Sequence, residues 1–259
     1  GKIGSDIDYS IGGSLSDATA EVTEYANPTG TNPAGNWYEG RKVGEIWGYR
    51  ASGIIQTQEE ADEYNSKYNL SYLSGTAWTP GDVKYIDLNN DGKIDRGDNN
   101  LNNMGDMTII GNTTPRYQYT INGSISWKDL SLSVMFQGVG KRDWDPGTAP
   151  YFWGSGAYAQ VTVFNEHMDY WREDNKDAYY PKPYIHSAGG VGPFRNKIMQ
   201  TSDRYLQSGA YCRLKNITLS YNLPSAWVKK AGMQKVQVFF SGENLLTFTS
   251  LKGMFDPEA

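Results

Sequence analysis

The chain has 259 residues and a formal net charge of −5, from 24 Lys and Arg against 29 Asp and Glu. This balance predicts no basic surface for nucleic acid, and the single cysteine, Cys212, excludes an internal disulfide and a multi-cysteine zinc site. Aromatic residues reach 14% and Gly contributes 29 residues, a mixture that favours strands and turns over helices. We therefore predict an all-β class.

Two extended stretches and one helix are predicted before residue 69. Residues 6–16 alternate between apolar and polar side chains and predict a strand. Residues 43–55 predict a second extended stretch. The sequence Thr-Gln-Glu-Glu at 57–60 is a capping box, and it predicts a short helix that ends at about Tyr68. This helix is so polar that we expect it to be a surface element.

Residues 87–98 carry oxygen-bearing side chains at the spacing of a twelve-residue calcium loop, with Gly92 at position six, where such a loop turns sharply. Two features differ from an EF-hand: Asp98 stands where a bidentate Glu is usual, and residues 82–86 look like a strand. The alternative is an Asn/Asp/Gly turn cluster that holds no ion. We predict Ca²⁺ binding by the side chains of Asp87, Asn89, Asp91, Asp95 and Asp98 and by the carbonyl oxygen of Lys93.

Residues 116–127 alternate without a break and predict a strand of twelve residues, which is long for a globular protein. Lys128 and Asp129 predict a two-residue turn, and residues 130–137 alternate again. Transmembrane β-strands need about 9 to 11 tilted residues with alternating lipid-facing and lumen-facing side chains, which this hairpin fits. A soluble β-sandwich strand would also alternate. In a barrel, the lumen-facing residues that line a solute path or bond to one another are Arg116, Gln118, Asn122 and Gln137.

Residues 138–210 form a long connection, in which 163–172 predict one short helix. Residues 216–223 and 236–240 then predict two further strands. Outer-membrane barrels have short periplasmic turns and long outer loops, so residues 69–115 and 138–210 are predicted extracellular loops. Aromatic residues of the second loop are candidates to contact substrate or a partner protein: Trp144, Tyr151, Phe152, Trp153 and Tyr158.

Six segments occur in the order and form typical of one protein family. They are GDVKYIDLNNDGKID at 81–95, IGNTTPRY at 110–117, FQG at 136–138, RLKNITLSYNLP at 213–224, SGENLLTF at 241–248 and DPE at 256–258. On these segments the chain resembles the SusC/RagA family of TonB-dependent outer-membrane transporters. The resemblance extends over most of the chain and corresponds to the C-terminal part of the family's barrel.

The resemblance implies that residues 1–259 are part of an antiparallel transmembrane β-barrel of 22 strands. It implies import of oligosaccharides or peptides, driven through TonB, under a SusD-like lipoprotein in the outer membrane of a Gram-negative bacterium. The family's plug domain, TonB box and final strand are expected to lie outside this sequence. An isolated piece of this kind is expected to expose two sheet edges and an apolar face.

Two other classes of function fit less well. An enzyme is disfavoured because His167 and His186 match no metal-site spacing, and we expect both to be surface residues. No nucleophile elbow or phosphate loop occurs, so we predict no enzymatic activity. A secreted, calcium-stabilised β-sandwich that binds carbohydrate is the stronger alternative, since Trp and Tyr suit sugar stacking there too. The long apolar-faced hairpin and the unequal loop lengths disfavour it.

Overall fold

The computed structural model describes residues 1–147, 149–154, 163–184, 196–251 and 255–258. The chain divides into two compact units. The first, here called the sheet unit, comprises Gly1–Thr19, Thr114–Asp143 and Gln207–Ala259. The second, the loop unit, comprises Ala20–Thr113 and Trp144–Leu206.

Strands dominate the described residues. In chain order they are β1 (Lys2–Ile3), β2 (Ile7–Ser16), β3 (Glu45–Tyr49), β4 (Ala51–Ile54), β5 (Val83–Tyr85), β6 (Met107–Asn112), β7 (Arg116–Trp127), β8 (Leu130–Lys141), β9 (Asp143–Trp144), β10 (Gln207–Ser208), β11 (Tyr211–Asn222) and β12 (Gln237–Thr249). Among the described residues, α-helices include α1 (Gln58–Lys67), α2 (Pro150–Trp153) and α3 (Ser225–Lys230), residues 196–198 are also helical, and a 3₁₀-helix covers Asn165–Met168. The all-β prediction is confirmed. None of the described helices is long and apolar enough to cross a membrane.

An antiparallel sheet of six strands organises the sheet unit, in the order β1-β2-β7-β8-β11-β12. The predicted twelve-residue strand is β7, with the predicted bounds. Lys128 adopts a positive φ of 54°, which allows the chain to reverse within two residues. Trp127 pairs with Leu130 across this turn, so the predicted hairpin is confirmed.

β8 is longer than predicted, because it continues beyond Gln137 to Lys141. Two glycines in this extension have no side chain with which to continue the alternating pattern. The close packing at Gly138 requires a glycine: a Cβ there would lie 2.3 Å from the carbonyl oxygen of Tyr211 and 2.4 Å from the hydroxyl oxygen of Tyr119. Gly138 therefore interrupts the alternating pattern in the sequence and also allows close approach of the neighbouring strands.

β11 is also longer than predicted. It begins at Tyr211 rather than near residue 216. The register with both neighbouring strands shifts between Leu214 and Asn216, which marks a β-bulge. A bulge moves the following side chains out of strict alternation. The continuous alternation of apolar and polar residues that predicts a strand therefore begins only after the bulge.

Two short antiparallel sheets lie in the loop unit, where β3 pairs with β6 and β4 pairs with β5. The predicted stretch 43–55 is therefore two strands with different partners. The predicted loop 69–115 is more ordered than expected, because it contains β5 and β6 and several fully buried side chains. Trp78 is one of them, and its Nε1 donates a hydrogen bond to the carbonyl oxygen of Val83 at 2.9 Å.

α1 begins at the predicted N-cap: the amide of Glu60 donates to Oγ1 of Thr57 at 3.2 Å, and the Glu60 carboxylate accepts a hydrogen bond from the Gln56 amide at 2.6 Å. The expectation that α1 is only a surface element is wrong for one face, since Ala61 and Tyr64 are buried. The Tyr64 hydroxyl accepts a hydrogen bond from the Tyr85 amide at 2.9 Å and donates one to the Tyr85 carbonyl at 2.8 Å. Tyr64 and the ion pair between Glu60 and Lys84 attach this polar helix to β5.

Replacing Thr57 with Ala is expected to destabilise α1 by about 1 kcal/mol, because the Glu60 amide loses its capping acceptor. Hydrogen exchange of the Gln58–Lys67 amides in the complete protein measures this change. Glu63→Ala is the matched control, because Glu63 is exposed on the same helix. Equal exchange rates in the two variants would contradict the capping role.

Candidate functional site

One face of the six-stranded sheet is apolar across its whole width. In the observed register one row runs Tyr9, Ile125, Leu132, Leu219 and Phe240, and a second runs Leu15, Tyr119, Gly138, Cys212 and Phe248. Several of these side chains are strongly exposed, Phe240 at 73% and Leu15 at 72%. A contiguous apolar surface on a sheet is a site that another apolar medium or protein covers.

The opposite face of the same sheet is polar. One row across five strands runs Ser10, Ser124, Ser133, Thr218 and Ser241. Hydroxyl groups pair across the strands: the Oγ atoms of Ser10 and Ser124 are 2.8 Å apart, and Oγ1 of Thr218 lies 2.8 Å from Oγ of Ser241. These side chains satisfy one another and leave a smooth hydrophilic surface.

The residues predicted to face a lumen lie in this sheet. Thr120 of β7 pairs with Gln137, and Gln118 and Asn122 lie two residues before and after Thr120. The predicted residues Gln118, Asn122 and Gln137 therefore lie on the polar face. Arg116 forms an ion pair with Asp17 at the strand end. That the polar face lines a solute path stays a prediction.

Arg213 stands on the same polar face, paired with Gln137, and was missed by sequence reasoning. Its guanidinium donates to Oδ1 of Asp256 at 2.7 Å, to Oε2 of Glu258 at 2.8 Å and to Oγ1 of Thr247 at 2.8 Å. Arg213 is nearly buried, so it fastens residues 255–258 to the sheet. The only signal in the sequence was that both partners belong to family-like segments.

The predicted calcium loop is shaped by its own side chains. Oδ1 and Oδ2 of Asp87 accept hydrogen bonds from the amides of Asp91 at 3.2 Å and Gly92 at 2.9 Å. Gly92 has a φ of +78°, which a glycine adopts without strain. The other predicted ligands bond locally: Asn89 to Asp91, Asp91 to the Lys93 amide, Asp95 to the Gly97 amide and Asp98 to Asn103. Among the described residues, no group of three His, Cys, Asp or Glu side chains is placed to hold a metal ion, and Ca²⁺ binding stays a prediction.

A buried carboxylate joins the two arms of this loop. Asp106 is fully buried and accepts hydrogen bonds from the amides of Leu88 at 2.7 Å and Asp95 at 2.9 Å. Burial raises the pKa of Asp106 above its ordinary value, and the two amides oppose that shift. The loop is therefore held in shape from inside the loop unit.

Two predicted contact residues are buried instead. Phe152 is 0% exposed and Trp153 is 6% exposed. The Phe152 ring packs edge-on against Trp153, Tyr180 and Tyr205, with centroids 4.9, 5.4 and 6.1 Å apart. Phe152 and Trp153 thus pack the core of the loop unit, which corrects their assignment as surface contacts.

The other predicted aromatic contacts have different positions. Tyr151 is 63% exposed and keeps the prediction. Trp144 is half-buried, with its ring centroid 6.0 Å from that of Phe152. Tyr158 lies outside the described residues.

His167 is buried, which corrects the expectation of a surface residue; His186 lies outside the described residues. Nδ1 of His167 accepts a hydrogen bond from the Phe164 amide at 3.0 Å. Nε2 faces the carbonyl oxygens of Tyr151 at 2.9 Å and Phe152 at 3.1 Å. These partners fit a neutral ring with its proton on Nε2. The ring lines a cavity of about 230 Å³ whose other walls are Trp153, Val163, Met168, Tyr170, Tyr180, Pro181, Pro183 and Ile198.

Two curated proteins match most of the chain. TonB-dependent receptor P3 of Formosa agariphila is 32% identical over 222 residues, which are 85% of this chain and 19% of the receptor. TonB-dependent receptor P26 of the same organism is 26% identical over 220 residues, with the same two shares. No protein-family model matches.

Solved structures have a similar fold. The structure of the RagAB peptide transporter matches with a TM-score of 0.62 and 20% identity, over 99% of this chain and 25% of the solved chain. The RagAB peptide importer in its closed-closed state matches with a TM-score of 0.60. The chain is SusC/RagA-like. The resemblance predicted from the six sequence segments is thereby confirmed.

The SusC/RagA-like chain spans about a fifth of the length of the curated relatives it matches, at 19% of each. Its relatives are named as receptors and its structural neighbours as a transporter, rather than as enzymes. This agrees with the prediction of no enzymatic activity. The likeness to the solved structures shows the fold.

The SusC/RagA-like chain contains a buried ion pair that its sequence does not predict. Asp82 is 0% exposed and Lys197 is 1% exposed, and Nζ of Lys197 lies 3.4 Å from Oδ2 of Asp82. The carboxylate also accepts hydrogen bonds from the Thr79 amide at 2.9 Å and from the Tyr184 hydroxyl. Lys197 donates a second hydrogen bond to the carbonyl oxygen of Ala77.

The surroundings of this pair are aromatic. The Lys197 ammonium lies 5.3 Å from the Trp78 ring centroid and 5.7 Å from that of Tyr184. Burial lowers the pKa of Lys197 and Asp82 opposes this, while burial and the Asp82 carboxylate raise the pKa of Tyr184. The cluster joins segments 77–82, 182–184 and 197 of the loop unit, and we assign it a structural role.

Proposed function

We propose that the chain is part of an outer-membrane, TonB-dependent importer of oligosaccharides or peptides. The observation that carries the proposal is the two-faced sheet: apolar rows on one side and hydroxyl rows on the other, over strands of 10 to 13 residues. Strands of this length span a bilayer when tilted, with the apolar side against lipid. The relatives named as TonB-dependent receptors support it.

The ends of the sheet support a larger barrel. β1 and β12 occupy the two ends of the six-stranded order. An open edge presents unpaired amides and carbonyls, and a bilayer offers these groups no water. Further strands of the complete barrel would pair there. The polar face would then line the lumen, where Gln118, Asn122 and Gln137 contact a hydrophilic solute.

The partners follow from the family resemblance. A SusD-like lipoprotein would cover the outer opening, and TonB would act on a region outside this sequence. One of the similar solved structures is that of the RagAB peptide transporter. This similarity supports a two-component importer and a peptide as one candidate substrate. The secreted carbohydrate-binding β-sandwich is not favoured, because a soluble protein rarely exposes apolar rows this wide.

Cell fractionation with gel electrophoresis tests the proposal. We expect the complete protein in the outer-membrane fraction, with faster migration in unheated than in heated detergent samples, as for a folded barrel. Co-purification of a SusD-like lipoprotein is the expected second result. A soluble, monodisperse protein in the secreted fraction would refute the importer and favour the β-sandwich.

We also propose that residues 87–98 bind Ca²⁺ outside the cell, where the weak affinity of extracellular modules, about 10⁻⁴ to 10⁻³ M, is sufficient. Support comes from the ligand spacing, from the turn at Gly92 and from the fixed carboxylate of Asp87. A bound ion would replace some of the amide partners seen here. The alternative, an ion-free turn cluster, has the same amide hydrogen bonds.

Removing Ca²⁺ from a sample at about 1 mM with a chelator is expected to accelerate hydrogen exchange of the 87–98 amides about 2- to 10-fold, the range that a Kd of about 10⁻³ to 10⁻⁴ M implies. Asp91→Asn is expected to abolish this difference, because it removes a charged ligand. Asp177→Asn, an exposed acidic residue elsewhere in the loop unit, is the control. Exchange that is insensitive to calcium in the unsubstituted protein would establish the ion-free turn cluster.

A further inference from the structure

The connection between β11 and β12, residues 223–236, lies at the end of the sheet where the β7–β8 turn also lies. The Asn222 amide donates to the carbonyl oxygen of Asp129 at 2.9 Å, which places the start of the connection beside that turn. The Leu223 amide donates to the Val236 carbonyl at 2.9 Å and closes the connection at its base. We call residues 223–236 the lysine loop.

The lysine loop is purely basic. It contains Lys229, Lys230 and Lys235 and no Asp or Glu, and all three lysines are exposed. Val228 is buried at 3% exposure and anchors α3, so the charged residues are carried on an ordered turn. A cluster of like charges is unfavourable unless an opposite charge lies opposite it.

No described carboxylate forms an ion pair with these lysines, and this includes that of Asp129 in the adjacent turn. The two acidic side chains of the β1–β2 region at this end already have cations: Asp6 lies 3.9 Å from Lys128 and Asp8 lies 3.5 Å from Lys2. The lysine loop therefore presents its charge outward.

Exposed aromatic and apolar side chains accompany these charges. Trp227 is 66% exposed and Met233 is 48% exposed within the loop. On the adjacent turn Trp127 is 53% exposed, and the Lys128 ammonium lies 5.3 Å from its ring centroid. The apolar row that ends here, Trp127 with Leu130, belongs to the apolar face of the sheet.

We propose that the lysine loop binds the anionic headgroups of phospholipids at the periplasmic surface of the membrane. This inference rests on the proposed membrane location. Lysine beside Trp and apolar side chains is the composition of segments that lie in a bilayer interface, with the stems in the apolar boundary and the ammonium groups at the phosphates. Charge complementarity favours anionic over zwitterionic lipid, because three lysines without an ion-pair partner are attracted most strongly to a membrane surface of net negative charge. Phospholipid is the occupant because the short turns of an outer-membrane barrel face the periplasmic leaflet.

Native mass spectrometry of the complete protein in mild detergent tests this binding, with phosphatidylglycerol and phosphatidylcholine as the added lipids. We expect Lys229→Gln/Lys230→Gln/Lys235→Gln to lower retention of phosphatidylglycerol about tenfold or more and to leave phosphatidylcholine unchanged. The matched control is Lys42→Gln/Lys67→Gln/Lys176→Gln, which removes the same charge from exposed lysines of the loop unit. The corresponding triple Arg variant should retain the lipid.

Equal loss of phosphatidylglycerol in the two Gln variants would overturn the inference, because it would show that only overall charge matters. Unchanged retention in both variants would also overturn it. A nitroxide at Ala226→Cys, in a Cys212→Ala background that removes the native thiol, gives a second measurement in vesicles containing about 30% phosphatidylglycerol. We expect shielding from a water-soluble relaxation agent, reduced in the triple Gln variant; full water exposure overturns the inference. Heat-modifiable migration of each variant is checked first. Its absence in the unsubstituted protein refutes the proposed function, whereas its presence with unaltered lipid retention refutes only the headgroup site.

Discussion

Replacing Asp82 with Asn is expected to destabilise the loop unit by about 3 to 5 kcal/mol. The substitution leaves the Lys197 ammonium at 1% exposure without its counter-charge, and it turns an amide donor toward groups that themselves donate to Oδ2. A buried charge that loses one partner keeps the full cost of desolvation. The effect is therefore expected to exceed that of any surface substitution in this unit.

Hydrogen exchange of peptides covering 77–85 and 196–206 measures this effect in the complete protein. The expected loss accelerates exchange about 100-fold or more where amides exchange through local opening. Asp82→Asn/Lys197→Met removes both charges and should recover most of the protection, because no uncompensated charge is then left buried. Asp177→Asn is the exposed control. Unchanged exchange in Asp82→Asn would mean that the pair does not hold these segments together.

Replacing Ile121 with Arg is expected to cost about 2 to 4 kcal/mol of barrel stability. Ile121 lies in the middle of β7 on the apolar face, opposite Gly13 on one side and Phe136 on the other. At that depth a guanidinium would face hydrocarbon, with little chance of reaching water. The magnitude is comparable to a large part of the stability of a typical domain.

The neighbouring residue provides the matched control. Asn122 is the next residue of the same strand and points to the polar face, so Asn122→Arg adds the same charge to the other side. We expect Asn122→Arg to assemble normally and Ile121→Arg to give much less heat-modifiable protein in the outer membrane. If both variants assembled equally well, the apolar face would not contact lipid, and the proposed function would lose its main support.

The strands could be predicted where the alternating pattern was continuous. β7 has its predicted bounds, since each of its side chains reports which face it occupies. Gly138 in β8 and the bulge after Leu214 in β11 interrupted the pattern, and there the predicted strands were too short. Gly138 allows close contact between neighbouring strands, and the bulge shifts their register. Both effects depend on strand pairing, which only the three-dimensional structure shows.

The candidate site was predicted less well than the strands. The sequence predicts one set of aromatic contacts in the loop 138–210, yet Phe152 and Trp153 are buried and Tyr151 is exposed. Residue type alone does not separate these cases, because an aromatic ring is equally suited to a core and to a binding surface. His167 was likewise expected at the surface and is buried, with both ring nitrogens bonded to backbone groups.

The sequence by itself determined the all-β class, the two-residue turn at Lys128 and Asp129, the helix cap at Thr57 and the kinship with TonB-dependent receptors. These features depend on residues that are close in the chain, or on segments that recur in relatives. Only the tertiary structure decided which polar residues are buried and paired. Asp82 and Lys197 are 115 residues apart, and Arg213 and Asp256 are 43 residues apart. Their pairing is decided by how distant segments pack together.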